Sequence, residues 1–374
     1  MGQVAKDNVE IGVVLQGGGA LGAFEFGAMT ALLELMDEIE IPGRSVQLIA
    51  VTGVSIGAFN AACVVGASDR ADARRRLSAL WSALSLEASR YVWERVGRDL
   101  ALFGVPGFYE PRPDVWNVLH WTSLYDTHPM LETLREHVDF NSLNNSSTAF
   151  VVTAVDVETG ELIRFRNHEH KGEARTRIEP EHVMASGSLP PPLPAMPIKG
   201  SSYWDGGIID NTPLGDAIDA FSGSDCERIL IVMNLFRRRR APPTNMIEVN
   251  DRLNELRFGN RVRQDSQNAH TINELLQTID ELAAAVPEGA LDEQLEARVF
   301  GAQRFKILDA ITNIDLADPD LMTEAGFRPD SHDPNAFRDF SAAGIERRRD
   351  IGYKIAKIKL QELFETRGLL PKPH

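Results

Sequence analysis

Positive charge is in short supply in this chain: 39 Lys and Arg stand against 54 Asp and Glu in 374 residues, a formal net charge of −15. A polyanion would repel such a chain at long range, which argues against nucleic-acid binding and against general adsorption to an anionic bilayer. Cysteine is scarcer still. Cys63 and Cys226 are far apart and in no metal-ligand spacing, so neither a disulfide framework nor a zinc site is expected. No uninterrupted apolar run reaches bilayer-spanning length, and no signal-peptide core follows Met1 to Lys6, a start that resembles a myristoylation site except for Lys6. The expected compartment is a reducing one, most simply the cytoplasm. Internal repeats and low-complexity tracts are missing as well. A hydrophobic share of 43% with 25% charged residues excludes disorder of the whole chain and leaves a folded protein.

What is present reads as alternating strands and helices. Ile11 to Leu15 is a β-branched apolar run, Gln16 to Gly22 a glycine-rich turn, and Ala23 to Glu40 a helix stopped by Pro42-Gly43. Val46 to Val51 is a second strand, running into Thr52 to Gly57 and a small-residue helix over Ala58 to Val65. This alternation predicts a parallel sheet covered by helices on both faces. Residues 71–86 have the spacing of an amphipathic helix, with Leu77, Leu80, Trp81 and Leu84 on one side. Phe150 to Asp156 and Glu161 to Phe165 flank Glu158-Thr159-Gly160 as a hairpin. Arg228 to Leu235 reads as the last buried strand, and helices are expected over Ile247 to Ala285, Leu291 to Ile311 and Phe337 to Thr366.

Gly17-Gly18-Gly19-Ala20-Leu21-Gly22 admits two functional readings. It satisfies the G-x-G-x-x-G pattern of dinucleotide-binding loops. That reading requires an acid at the end of the next strand to hold a ribose, and Ile49 to Gly53 offers none. The other reading is an oxyanion hole, in which glycines turn successive N–H groups toward the charge that develops on an acyl carbonyl. A plain strand-to-helix turn needs fewer than three consecutive glycines.

Gly53-Val54-Ser55-Ile56-Gly57 is a nucleophile-elbow pattern placed between a strand and a helix. A serine that merely caps the helix is the plainer alternative, but it does not call for glycine on both sides. A serine nucleophile needs a base. Of the nine histidines, His270 and His332 follow in the chain order of a triad, yet both lie in polar, solvated surroundings. Asp205, in Trp204-Asp205-Gly206-Gly207, is the better candidate, since a carboxylate held close to the hydroxyl in a water-poor site can take its proton. An Asp-Gly turn is the bland reading of that segment.

With these three motifs in this order, the chain resembles the patatin-like phospholipases over roughly residues 9–235. Ala185 to Pro190, and Asn211-Thr212-Pro213-Leu214, add to the resemblance. It implies a three-layer α/β/α fold with a mainly parallel central sheet. It also implies a cofactor-free Ser–Asp dyad of Ser55 and Asp205, oxyanion donors at Gly17, Gly18 and Gly19, and supporting roles for Gly22, Gly53, Gly57, Gly206 and Gly207. The implied reaction is release of fatty acids from phospholipids, lysophospholipids or related lipid esters. Leu21 departs from the family, whose loop usually carries Arg or Lys there. A catalytically idle lipid- or partner-binding relative on the same fold would have no need to keep both Ser55 and Asp205.

Three segments fall outside the motifs. The aromatic and proline-rich stretch 102–125 is a candidate lid or acyl-pocket wall, or else a satellite cluster under a long loop. Arg237-Arg238-Arg239-Arg240, in a linker over residues 236–243, is either a solvated loop or a contact for anionic head groups during transient contact with a membrane or lipid aggregate. The helix-rich extension, residues 244–374, either packs on the α/β domain or forms a homodimer interface; charge as dense as Arg347 to Asp350 suggests exposed faces there.

Overall fold

The computed structural model describes residues 8–86, 101–222, 226–236, 242–287, 290, 292–300, 306–316, 318–328 and 337–372. Its centre is an eight-stranded sheet. Strands β1 (Asn8–Leu15) and β2 (Ser45–Gly53) pair in parallel. Two very short strands, β3 (Glu110–Pro111) and β4 (Tyr125–Asp126), form a separate antiparallel pair. The sheet continues with β5 (Ala149–Asp156), β6 (Leu162–Arg166), β7 (Met196–Ile198), β8 (Ser201–Asp205), β9 (Glu227–Asn234) and β10 (Ala310–Asp315). Its order is β10-β9-β1-β2-β5-β8-β7, with β6 also pairing β5. The five strands β10 to β5 run parallel, and β6, β7 and β8 add antiparallel pairs at the other end.

Side chains alternate across a strand, so the two faces can be read from residue parity. Ile11, Val13, Leu15, Ile229, Ile231 and Met233 point into the larger core, with α1 (Gly22–Asp37), α2 (Ile56–Val65) and α3 (Arg70–Ala83). Val14, Leu230 and Val232 point the other way, against Leu214 and Ala217 of the helix Leu214–Ala220 and Ala269 of the helix Met246–Ala285. Helices thus cover both faces, the expected α/β/α arrangement.

Gly19–Asp37, which includes α1, has the length and hydropathy to cross a membrane, but 83% of its apolar window is buried inside this fold. Its cover is the helix Ala342–Thr366, which packs along it and buries Ile345, Ile351, Ile355, Leu360 and Phe364. Tyr353 adds a hydrogen bond from its hydroxyl to Glu34 at 2.6 Å. The end of the extension therefore docks on the α/β core.

Three expectations need correction. Among the described residues of the stretch Leu291 to Ile311, only Glu293–Phe300 is helical, and a further, half-buried strand follows β9, which was expected to be the last buried one. Ala310–Asp315 pairs in parallel with Ile229–Asn234, because the open edge of β9 offers backbone donors and acceptors that a β-branched segment such as Ile311-Thr312 can take up. Arg348, read as solvent-facing, is buried and ion-paired with Asp339 at 3.6 Å. The Arg237 to Arg240 run and His332 lie outside the described residues.

Candidate active site

Ser55 stands where β2 ends and α2 begins, with φ +54° and ψ −126°, a backbone conformation that costs a non-glycine residue energy. Its side chain makes no capping bond to the helix, so the capping role is not what holds it there. Close approach of the start of α2 to the end of β1 explains Gly57: a Cβ on that residue would come within 2.6 Å of the Leu15 carbonyl oxygen. The Ser55 amide donates to Ser186 Oγ at 2.9 Å, which ties the elbow to the helix Pro180–Ser186.

Asp205 ends β8, with its side chain 3% exposed. Burial pushes its carboxyl from 3.8 up to about 7, against the opposing pull of the Gly207 N–H and the Ser55 hydroxyl. The Gly207 N–H donates to Asp205 Oδ1 at 2.7 Å. Ser55 and Asp205, 150 positions apart in sequence, thus meet at one end of the sheet. No histidine lines the adjoining cleft among the described residues, and His270 is exposed on the helix Met246–Ala285.

The glycine loop is held from three sides. Asn211 clamps Gly17, accepting from its N–H at 3.1 Å and donating to its carbonyl at 3.0 Å. Gly19 has φ +54°, and a Cβ there would lie 2.5 Å from the carbonyl oxygen of Phe337, which accepts from the Ala20 N–H at 3.0 Å. Gln16 accepts from the Leu235 N–H at 2.8 Å and donates to Thr212 Oγ1 at 3.2 Å. The Gly17 N–H is therefore taken, which corrects its expected place among the oxyanion donors. Among the described residues, the N–H groups of Gly18 and Gly19 have no partner.

Behind the loop lies a sealed polar network that the sequence did not announce. Glu25 accepts from the Gln16 N–H at 2.6 Å and from Asn60 Nδ2 at 3.0 Å, and Asn60 accepts from Trp81 Nε1 at 2.9 Å. Full burial raises the Glu25 carboxyl well above the usual carboxylate range.

In front of Ser55 opens a cleft of about 1020 Å³. Phe108, Tyr109, Leu124 and Tyr125, all in the segment 102–125, are among the residues that line it. Pro190 to Leu193, Trp204, Ile208 and Ile209 make further apolar surface, and Asn254, Arg257, Phe258, Phe337, Arg338 and Phe340 come from the extension. No cluster of metal-ligating side chains occurs among the described residues.

A family model described as patatin-like phospholipase matches residues 13–218, more than half of the chain. The chain belongs to this family. Membership in the patatin-like phospholipases supports hydrolysis of lipid esters. Solved structures similar to this chain include VipD from Legionella pneumophila, at 15% identity and TM-score 0.41, covering 95% of this chain and 67% of that one. Human GIVD cytosolic phospholipase A2 in complex with methyl γ-linolenyl fluorophosphonate matches at 11% identity and TM-score 0.44, covering 97% of this chain and 59% of that one. ExoU in its complex with SpcU from Pseudomonas aeruginosa matches at 17% identity and TM-score 0.29, covering 78% and 65%. This chain thus spans about two thirds or less of those proteins' lengths. Among curated proteins, nothing matches.

Proposed function

We propose that this patatin-like protein is a serine acyl-ester hydrolase whose Ser55 and Asp205 form a catalytic dyad that releases fatty acids from phospholipids, lysophospholipids or related lipids. The observation that carries this reading is a strained, uncapped serine beside a buried carboxylate, at the mouth of a largely apolar cleft. In the first step, Asp205 accepts the Ser55 proton as Oγ attacks the acyl carbonyl. The oxyanion meets the N–H groups of Gly18 and Gly19, whose positions are set before substrate arrives. Collapse expels the alcohol, which leaves with the proton from Asp205. Asp205 then takes a proton from water, and the resulting attack on the acyl-serine frees the fatty acid and restores both groups.

Exposed Phe103, Trp116, Leu119 and Leu124, on the segment beside the cleft, suit contact with a lipid aggregate. Covalent labelling by a fluorophosphonate, lost in Ser55→Ala, tests the nucleophile. Hydrolysis of a fatty-acyl ester by the Ser55→Ala protein at the wild-type rate would overturn the reading.

A further inference from the structure

In a chain with net charge −15, the cleft is an electrostatic exception. Neither Asp nor Glu is among the described residues lining it; the charged side chains there are Arg257 and Arg338. Neither guanidinium has an ion pair or hydrogen bond among the described residues. Guanidinium groups without a carboxylate partner beside an apolar wall are a receptor for an anion of matching geometry.

Both arginines sit next to residues that neighbouring segments hold in place. Asn254, Arg257 and Phe258 share one face of the helix Met246–Ala285 by their spacing, and the Phe258 ring lies tilted against that of Phe236, just beyond β9, with centroids 6.0 Å apart. Arg338 directly follows Phe337, whose carbonyl accepts from the glycine loop. It lies near enough to the phenols of Tyr109 and Tyr125 to act on them electrostatically. The glycine loop itself brings no charge, since Leu21 is buried in the core.

We propose that Arg257 and Arg338 form an anion subsite in the cleft that takes the phosphate of the substrate, so that phosphate-bearing acyl esters are preferred over uncharged ones. The preference rests on the hydrolase reading; the subsite does not. Charge therefore selects the substrate through residues of the extension, while the ester is cleaved by residues of the α/β core.

The test compares a 1-acylglycerol 3-phosphate with the 1-acylglycerol of the same chain length, both below their critical micelle concentrations. The ratio of their kcat/KM values should favour the phosphate ester in wild type and fall about tenfold for each arginine replaced in Arg257→Gln and Arg338→Gln, as expected for losing a charge-assisted hydrogen bond. Added salt should compress the ratio, and Arg→Lys variants should recover part of it. A ratio unmoved by both substitutions, or two rates that fall in step, would overturn the subsite. Binding of decyl phosphate against decanol to the Ser55→Ala protein gives a readout free of catalysis. Arginine-dependent binding without turnover of either ester in wild type would sink the hydrolase reading and keep the subsite; turnover with arginine-independent binding would do the reverse.

Discussion

Glu25 and Asp205 are both buried carboxyls beside the same glycine loop, and burial raises the pKa of each. Their surroundings differ. Glu25, on the core side, has both oxygens engaged by donors that are themselves fixed, Gln16 N–H and Asn60 Nδ2. Asp205, on the cleft side, has one oxygen held by the Gly207 N–H and a hydroxyl, that of Ser55, as its other neighbour. A raised carboxyl pKa is therefore no mark of a catalytic base. What distinguishes the base is a partner whose proton can move and a space into which the product of that transfer can go.

Asp205→Asn should break the comparison most sharply. We expect hydrolysis to fall about 10³-fold in kcat, near the middle of the range for losing a general base. The wild-type rate should rise with pH as Asp205 ionises, reaching half its plateau near pH 7. Stability should run the opposite way. The folded acid keeps its proton to about 7, whereas the unfolded one releases it near 3.8, so the folded state binds more protons in that window and loses stability as pH rises through it. Asp205→Asn should flatten this part of the decline and melt roughly 2–4 °C above wild type at pH 8. A variant that loses activity and melts lower would move Asp205 to the structural side of the comparison.

Asn211→Ala comes next, because it frees both the N–H and the carbonyl of Gly17 while touching neither Ser55 nor Asp205 by a hydrogen bond. The loop should then lose its alignment, with kcat reduced about 10²-fold, the scale of a lost oxyanion donor, and KM changed much less. An equal effect on KM and kcat would mean that Asn211 shapes the cleft instead.

Glu25→Gln should affect stability more than catalysis. The new amide would place an N–H₂ against Asn60 Nδ2, and Asn60 cannot turn over without abandoning its bond from Trp81 Nε1. We expect about 1–3 kcal/mol of lost stability in chemical denaturation, the cost of an unmatched buried polar group. Activity per folded molecule should fall less than in Asn211→Ala. A larger fall would show that the sealed network tunes the site electrically and does more than support it.

The part of this arrangement that could be read in advance is local. Gly53 faces the backbone of Gly57 within one turn, so the elbow leaves a short-range pattern, and the three consecutive glycines of 17–19 stand out in the sequence although the atoms that crowd them come from distant segments. The alternation of Ile229, Leu230, Ile231 and Val232 between two cores is equally local. Long-range dependence hid the rest. Ala310–Asp315 becomes a strand because β9 has an open edge, a fact its own six residues cannot contain. The occupied N–H of Gly17 depends on Asn211, 194 positions away. Arg257 and Arg338 look like any solvated arginines until the fold sets both on the lining of one cleft, with no carboxylate among the described residues that line it.

The smallest expected effect concerns the outer rim of that cleft. Trp116 is 82% and Leu119 92% exposed, an unfavourable position for large apolar groups unless something apolar meets them. They lie in the segment whose other residues, Tyr109, Leu124 and Tyr125, line the cleft, and the N–H groups of Leu124 and Tyr125 both donate to the carbonyl of Pro192, which lines it too. The segment is thereby joined to the wall while its apolar tip points to solvent. Trp116→Ser with Leu119→Ser should raise the half-saturating amount of a micellar ester about threefold, since only part of the roughly 1.5–3 kcal/mol available per buried apolar side chain is realised at a fluid surface. Hydrolysis of a short-chain ester in free solution, which has no aggregate to meet, should respond much less. If both substrates lose equally, the tip supports the cleft wall from outside and the lipid-contact reading of this segment falls.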